Sequence, residues 1–194
     1  MNEFKEGEEI TVQPLKTFPI IKDLVTDLSW NFRQNLRIKP FRSQQAKPVV
    51  RFKSGATSGP LDNPQTEENP AELRFWQRDV ERSQEFRKCI ECFLCQDVCH
   101  VLRDQKREDA FVGPRFMIRL AGLEMHPSDT ADRMKAIVKE FGSGYCNITR
   151  CCTEVCPEHI QITDNAIIPL KERVVSRFYD PIAWLAGKIF GLAK

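Results

Sequence analysis

The sequence predicts a mainly α-helical fold organised around two groups of cysteines. Three observations carry that expectation. Apolar residues recur at three- and four-residue spacing through much of the chain, the period of a helix with one buried face. Asn-Pro, Gly-Pro and Asp-Pro pairs stand where those runs begin, as helix openings do. All eight cysteines fall between Cys89 and Cys156, in two short bursts, and neither flank holds one.

The whole-chain numbers bound the rest. At 194 residues the expectation is one domain, or one with an appendage. Lys and Arg total 29 against 27 Asp and Glu, a formal charge of +2, which argues against nucleic acid as a partner because such binders are strongly basic. The hydrophobic share, 41%, is enough for a core and too much for a disordered chain. No window reaches the roughly 20 consecutive apolar residues of a membrane span. The opening MNEFKEGEEI is polar and acidic, unlike a secretory signal or an Arg-rich transit peptide. Without an export signal, tightly bunched thiols point to metal ligation in a reducing compartment rather than to disulfides.

The elements follow in order. Ile10, Val12 and Leu15 alternate with polar residues and predict one short strand over Glu9 to Leu15, with no partner strand nearby. It looks like the last piece of a sheet. Ile21, Leu24, Val25, Leu28 and Phe32 then predict a helix from about Ile20 to Leu36, with Pro19 at its opening. Lys39 to Asn69 is rich in Pro, Gly, Ser, Asn and Gln and reads as an extended arm. Asn69-Pro70 opens a helical run toward Phe86. Gly113-Pro114 opens a helix through Met125, carrying Phe116, Met117, Leu120 and Leu123. Another is expected from Asp129 or Thr130 to Phe141, stopped by Gly142. Asp164 would cap a helix bearing Ile167, Ile168, Leu170, Val174, Val175 and Phe178, with Pro169 tolerated in its first turns. Asp180-Pro181 opens a last helix ending near Gly191. The expected domains are residues 1–18, a sheet remnant; 19–68, a helix and arm; and 69–194, the cysteine-bearing helical domain.

The first burst, Cys89, Cys92, Cys95 and Cys99, has the spacing C-x2-C-x2-C-x3-C, with His100 where the bacterial ferredoxin run has proline. Three thiolates two residues apart can converge on three corners of an iron–sulfur cube, while the fourth, a turn further on, points away to another cluster. The second burst aligns from its proline end. Cys152-x3-Cys156-Pro157 closes the run, Cys146 opens it, and Thr149 stands at the second ligand position. Exchanging the fourth ligands gives one cluster Cys89, Cys92, Cys95 and Cys156, expected as [4Fe–4S]. The other receives Cys99, Cys146 and Cys152, and three thiolates predict [3Fe–4S]. Cys151 is the alternative fourth thiolate there, although its neighbour Cys152 holds the in-register position. Zinc is disfavoured, because structural zinc sites use paired cysteines, four ligands to one tetrahedral ion.

Three stretches, KCIECFLCQDVCH, GPRFMIRLA and YCNITRCCTEVCPEHIQITDNAIIPLKERVV, resemble the iron–sulfur subunit of succinate dehydrogenase and fumarate reductase, most of all its actinobacterial type. Weaker resemblance runs on to Lys194 and back through EGEEITVQPLKTFPIIKDLV, which is similar to the end of that family's plant-type ferredoxin domain. The resemblance implies an α-helical ferredoxin domain that passes electrons from a flavoprotein (FAD) subunit to a quinone at a membrane anchor. The protein would sit peripherally on the cytoplasmic face of a bacterial plasma membrane, and the dicarboxylate would bind the partner. By position, the family's ligands fall on the same seven cysteines. Two departures stand out. No cysteine precedes Cys89, so a [2Fe–2S] cluster is not expected on this chain, and without it the chain is not expected to link flavin to quinone alone. The tryptophan and histidine that some members place near quinone match Asp104 and Asn147 here, so no quinone site is carried over. The alternative function is the iron–sulfur component of another redox complex, of the heterodisulfide reductase or anaerobic glycerol-3-phosphate dehydrogenase kind, but two full cysteine runs would be expected there.

Among the remaining residues, His100 and His159 flank the motifs and could hydrogen-bond a cluster ligand or sit near a quinone headgroup, though a turn histidine bonded to backbone or water is the plainer expectation. His126, before Pro127, reads as a turn residue. Arg115, Arg119 and Arg133 could offset cluster charge or lie on a solvated face. Phe111, Phe116 and Met117 read as core. The C-terminal WLAGKIFGLAK could lie on a membrane or anchor surface or pack back on its own domain.

Overall fold

The computed structural model describes residues 7–42 and 76–181. Within them the chain forms a two-stranded hairpin, β1 (Ile20–Lys22) and β2 (Val25–Thr26), and eight α-helices. These are α1 (Ser29–Arg37), α2 (Gln77–Glu85), α3 (Leu94–Asp97), α4 (His100–Arg103), α5 (Pro114–Glu124), α6 (Met134–Lys139), α7 (Cys151–Glu154) and α8 (Ile168–Phe178). Tight 3-10 turns follow α2 and precede Cys146, and a π-helical turn, Ile162–Ile167, leads into α8. The described chain is mainly α.

α5 is the centre of the core. Phe116, Met117, Leu120 and Ala121 are fully enclosed, packed against Ile162 and Ile167 of the π turn, Leu170 of α8, and Ile137 and Phe141 around α6. Its start is set by Gly113, whose φ of +89° only glycine adopts readily. A Cβ there would collide with the Gln96 amide, so the opening of α5 is pressed onto α3. Gln96 is itself wholly buried and satisfied on both ends. Its Nε2 donates to Asn31 Oδ1 (3.2 Å) and to the Val112 carbonyl (3.1 Å), and its Oε1 accepts the Arg115 N–H (3.4 Å).

The N-terminal segment clamps the first cysteine loop. Thr17 donates from its N–H to Asp97 Oδ1 (2.9 Å) and from its hydroxyl to the Asp97 carbonyl (3.1 Å). Phe18 and Phe32 both meet the Phe93 ring edge-on at 6.3 Å. Beyond α1, the chain is held by Arg133, whose guanidinium donates to the Lys39 carbonyl (2.8 Å), the Pro40 carbonyl (2.7 Å) and Asp129 Oδ2 (2.9 Å), and pairs with Glu124 (3.3 Å). Burial pushes the Glu124 carboxyl up, and Arg133 only partly opposes this.

Several expectations are corrected. Residues 20–26 are a hairpin, not the first turns of a helix: Asp23 takes a left-handed φ of 51° at the turn, and Asp27 donates its N–H to the Pro19 carbonyl (2.8 Å). Asp27 Oδ1 then accepts the Ser29 N–H (2.8 Å), which starts α1 there and holds the Asp27 carboxyl below its usual range. The helical spacing of Ile21, Leu24 and Val25 was coincidental, since all three are more than half exposed. Glu9 to Leu15 forms no strand, and among the described residues no segment pairs with it to complete a ladder. α6 begins at Met134 rather than near Asp129, since Asp129 and Asp132 turn their carboxylates onto the N–H groups of Ala131 (2.9 Å) and Met134 (3.0 Å) and hold a loop. Asp164 is not a cap. It lies inside the π turn and pairs with Arg150 (2.7 Å). Val175 and Phe178 are exposed, while Ile167, Leu170 and Val174 face the core. The arm beyond residue 42, the Asn69-Pro70 opening and the last helix past residue 181 lie outside the described residues.

Candidate metal centre

The two cysteine bursts build the same backbone twice. Each opens from a 3-10 turn into an extended cysteine, Cys89 or Cys146. Each then passes through two non-glycine residues in left-handed conformation, Glu91 (φ 58°) and Phe93 (φ 61°) in the first, Ile148 (φ 63°) and Arg150 (φ 66°) in the second. Each ends in a four-residue helix whose second residue is a cysteine six residues after the first, Cys95 in α3 and Cys152 in α7. Left-handed backbone costs on the order of 1–2 kcal/mol per residue away from glycine, and such strain gathers at functional sites. Here it is held by packing: Phe93 by the two rings against it, Arg150 by its ion pair with Asp164. The coil swings the cysteines inward. In this repeated frame Thr149 occupies the place of Cys92.

The thiols line two cavities, and each cavity draws on both bursts. Cys89, Cys92, Cys95 and Cys156 line one, walled by Phe93, Ile118, Ile160 and Ile162 and by Arg115. Cys99, Cys146, Cys152 and Cys151 line the other, with Thr149, His100, Asn147 and Thr163. A wider groove, open to solvent, adjoins the first and shares Cys89, Glu91 and Arg115, but it carries a single thiol among its described lining. All eight cysteines are free.

Burial governs the electrostatics of these thiols. It pushes Cys95 well above the usual thiol range, with neighbouring thiols adding to the effect, and pushes Cys152 up to about 11. Cys99 also rises by burial, opposed by the N–H groups of Leu102 and Val101. The Thr163 hydroxyl, 3.5 Å from Cys152 Sγ, opposes the rise there. Thiolates in these walls are stable only beside a cation, so occupancy by metal and loss of protons go together.

The donor set fits a polynuclear iron–sulfur group better than a lone ion. Among the described residues no three His, Cys, Asp or Glu side chains converge closely enough for one metal ion. The thiols instead ring apolar voids, and sulfur donors around such a void suit iron–sulfur clusters. Cys151 Sγ is 3.3 Å from Thr149 Oγ1 and 3.4 Å from the Val98 carbonyl. It therefore borders the threonine side of the second cavity.

Of the other candidates, His100 lines the second cavity, with Nδ1 3.5 Å from Thr149 Oγ1 and a buried Nε2 that meets no partner among the described residues. His159 is an exposed left-handed turn residue, and His126 accepts the Ser128 N–H (3.2 Å) within a turn. Asp104 is exposed and pairs with Arg103 (2.9 Å). Three supporting residues escaped the sequence reading. Lys171 donates to the Cys146 carbonyl, Glu85 ties Gln161 N (3.0 Å) and Asn165 to α2, and Gln96 underpins α3. Nothing in their local sequence marks them, because each acts on a residue distant in the chain.

The family pattern of a 4Fe-4S dicluster domain matches residues 85–160. A fumarate reductase iron–sulfur subunit of Haemophilus influenzae is 29% identical over 171 residues, 85% of this chain and 62% of that protein. An uncharacterized iron–sulfur protein of Methanococcus maripaludis is 26% identical over 178 residues, 91% of this chain but 31% of its own length. Among solved structures, a chain of the Mycobacterium smegmatis Sdh1 complex in the apo form superposes with a TM-score of 0.75 at 53% identity, covering 92% of this chain and 66% of that one. The chain thus spans less than two thirds of the length of these relatives.

Proposed function

We propose that this chain, which is similar to iron–sulfur subunits of succinate dehydrogenase and fumarate reductase, belongs with them and carries electrons between a flavoprotein subunit and a quinone site at a membrane anchor. The observation that carries the proposal is the sorting of thiols from both bursts into two separate, largely apolar cavities. Cys89, Cys92, Cys95 and Cys156 would hold a [4Fe–4S] group, and Cys99, Cys146 and Cys152 a [3Fe–4S] group. When bound, such groups supply one-electron chemistry at potentials the protein tunes.

The chain's own contribution is to hold, shield and bias. Phe93, Ile118, Ile160 and Ile162 exclude water from the first site. Thr163 and the Leu102 and Val101 N–H groups favour thiolate at Cys152 and Cys99. Thr149 offers a hydroxyl where a fourth thiolate would stand, which supports the three-iron assignment. Cys151 is kept outside the ligand set. The dicarboxylate would bind the flavoprotein.

The proposed domains are residues 1–18 as the remnant of a [2Fe–2S] ferredoxin domain, 19–68 as helix and arm, and 69–194 as the helical dicluster domain. Among the described residues no helix is long and apolar enough to cross a membrane. We place the protein peripherally on the cytoplasmic face. The test is anaerobic reconstitution with iron and sulfide. About seven irons per chain, with a paramagnetic three-iron signal in the oxidised state, are expected. A colourless, zinc-loaded chain would overturn the proposal.

A further inference from the structure

The structure separates three arginines that the sequence could not. Arg119 points to solvent. Arg133 is fully engaged by carbonyls and carboxylates far from either cavity. Arg115 is different. It is 3% exposed, and it lines the cavity of Cys89, Cys92, Cys95 and Cys156. Its Nη2 pairs with the Glu91 carboxylate, and its guanidinium lies 5.5 Å from the Phe116 ring centroid. Its Nε–H is buried and has no acceptor among the described residues.

An orphan donor on a buried cation is costly unless something accepts it. Glu91 does not fill that role, because it takes the other end of the fork and its side chain is 42% exposed, hence screened by water. None of the four thiols of that cavity accepts it, nor does Glu158 on the same wall, so the acceptor has to come from the group the cavity would hold. Arg115 also sits one residue after Pro114 at the start of α5, the element that Gln96 and Gly113 press onto the first loop, so its stem cannot swing out.

We infer that Arg115 is a positioning residue for the iron–sulfur group that Cys89, Cys92, Cys95 and Cys156 would hold, donating its Nε–H to an inorganic sulfur of that group and favouring its reduced form by its charge. The inference rests on the function proposed above. On reduction by dithionite the group takes up one electron and its charge falls by one, with no bond made or broken. A fixed cation beside it stabilises the more negative form. Glu91, on the far end of the same fork, tempers that charge.

The test is redox titration of the iron-loaded full-length chain, followed by electron paramagnetic resonance of each group separately. An opposite charge at close range shifts a proton equilibrium by tenfold or more, and the same electrostatics act on an electron. Arg115→Gln should therefore lower the reduced-to-oxidised ratio of this group about tenfold at fixed applied potential, a negative shift of about 59 mV for one electron. Glu91→Gln should raise the ratio, Arg115→Lys should fall between wild type and Arg115→Gln, and the other group should be unmoved. An Arg115→Gln ratio within twofold of wild type, or Glu91→Gln and Arg115→Gln shifting the same way, overturns the inference. Should Arg115→Gln fail to assemble, Glu91→Gln decides: a rise supports the charge role and anything else refutes it. A wild-type chain that takes up no iron refutes the underlying function instead.

Discussion

Replacing Cys156 with serine separates a crossed arrangement from two independent sites. Cys156 follows Cys152 by one helical turn and belongs by sequence to the second burst. Its thiol nevertheless lines the cavity of Cys89, Cys92 and Cys95, and is absent from the lining of the other. The substitution leaves the first cavity with three thiols and the second with its full set. From about seven irons per chain, about four should be lost and about three retained. The oxidised three-iron signal should survive, and the reduced four-iron signal should vanish. Cys99→Ser gives the mirror result, losing about three irons and the oxidised signal while keeping the reduced one. The assay is iron and acid-labile sulfide content beside resonance spectra of the anaerobically reconstituted full chain. Because a serine oxygen can itself hold iron, Cys156→Ala and Cys99→Ala accompany the pair. If Cys156→Ala abolished the oxidised signal and spared the reduced one, each burst would serve its own site and the crossed assignment would be wrong.

Further outcomes are expected for the second site, the Arg133 cluster and the thiols. Thr149→Cys should raise iron to about eight per chain and silence the oxidised signal, whereas Cys151→Ser should change neither; a Cys151 variant that loses iron would make that thiol a ligand. Arg133→Met should cost about 3–5 kcal/mol in urea unfolding, because it strands the buried carboxylates of Glu124 and Asp129; a loss under about 1 kcal/mol would mean those carboxylates find water. In the iron-free chain, iodoacetamide should mark exposed Cys92 first near neutral pH, and buried Cys152 only as pH approaches about 11, since a raised pKa leaves less thiolate at any given pH. Those raised thiols bind protons more tightly folded than unfolded, so iron-free stability should fall as pH climbs from the usual thiol range toward that value; equal labelling rates at mid-range pH would contradict the burial argument.

The supporting residues share a design. Gln96 joins α1, α3 and α5 at one amide, and Asn31, its partner, is itself wholly buried. The first cysteine loop is thereby tied to the N-terminal segment by Gln96, by Thr17 and by two aromatic contacts. The second loop is tied to α8 and the π turn by Lys171, Asp164 and Thr163. Each loop is braced by a different part of the chain, although the two share one backbone path.

What the sequence alone determined lies within a few residues of backbone. Cysteines two and three apart must share a loop in any fold, so their spacing announced iron–sulfur chemistry and marked Thr149 as the odd position. Gly113-Pro114 sets the start of α5 because φ is restricted locally, and the helix begins where that chemistry puts it, whereas α6 stops at Lys139, short of the expected end at Phe141 before Gly142. The tertiary structure decided everything that depends on which surfaces meet. Helical spacing in Ile21, Leu24 and Val25 was overruled by a turn at Asp23 and a carboxylate at Asp27, since periodicity cannot register a competing side-chain bond to the backbone. Arg115 and Arg119 are one turn apart on one helix and look alike in sequence, yet only the first is enclosed. That difference comes from α5 being pressed between α3 and the π turn, a contact between segments far apart in the chain that no local pattern encodes.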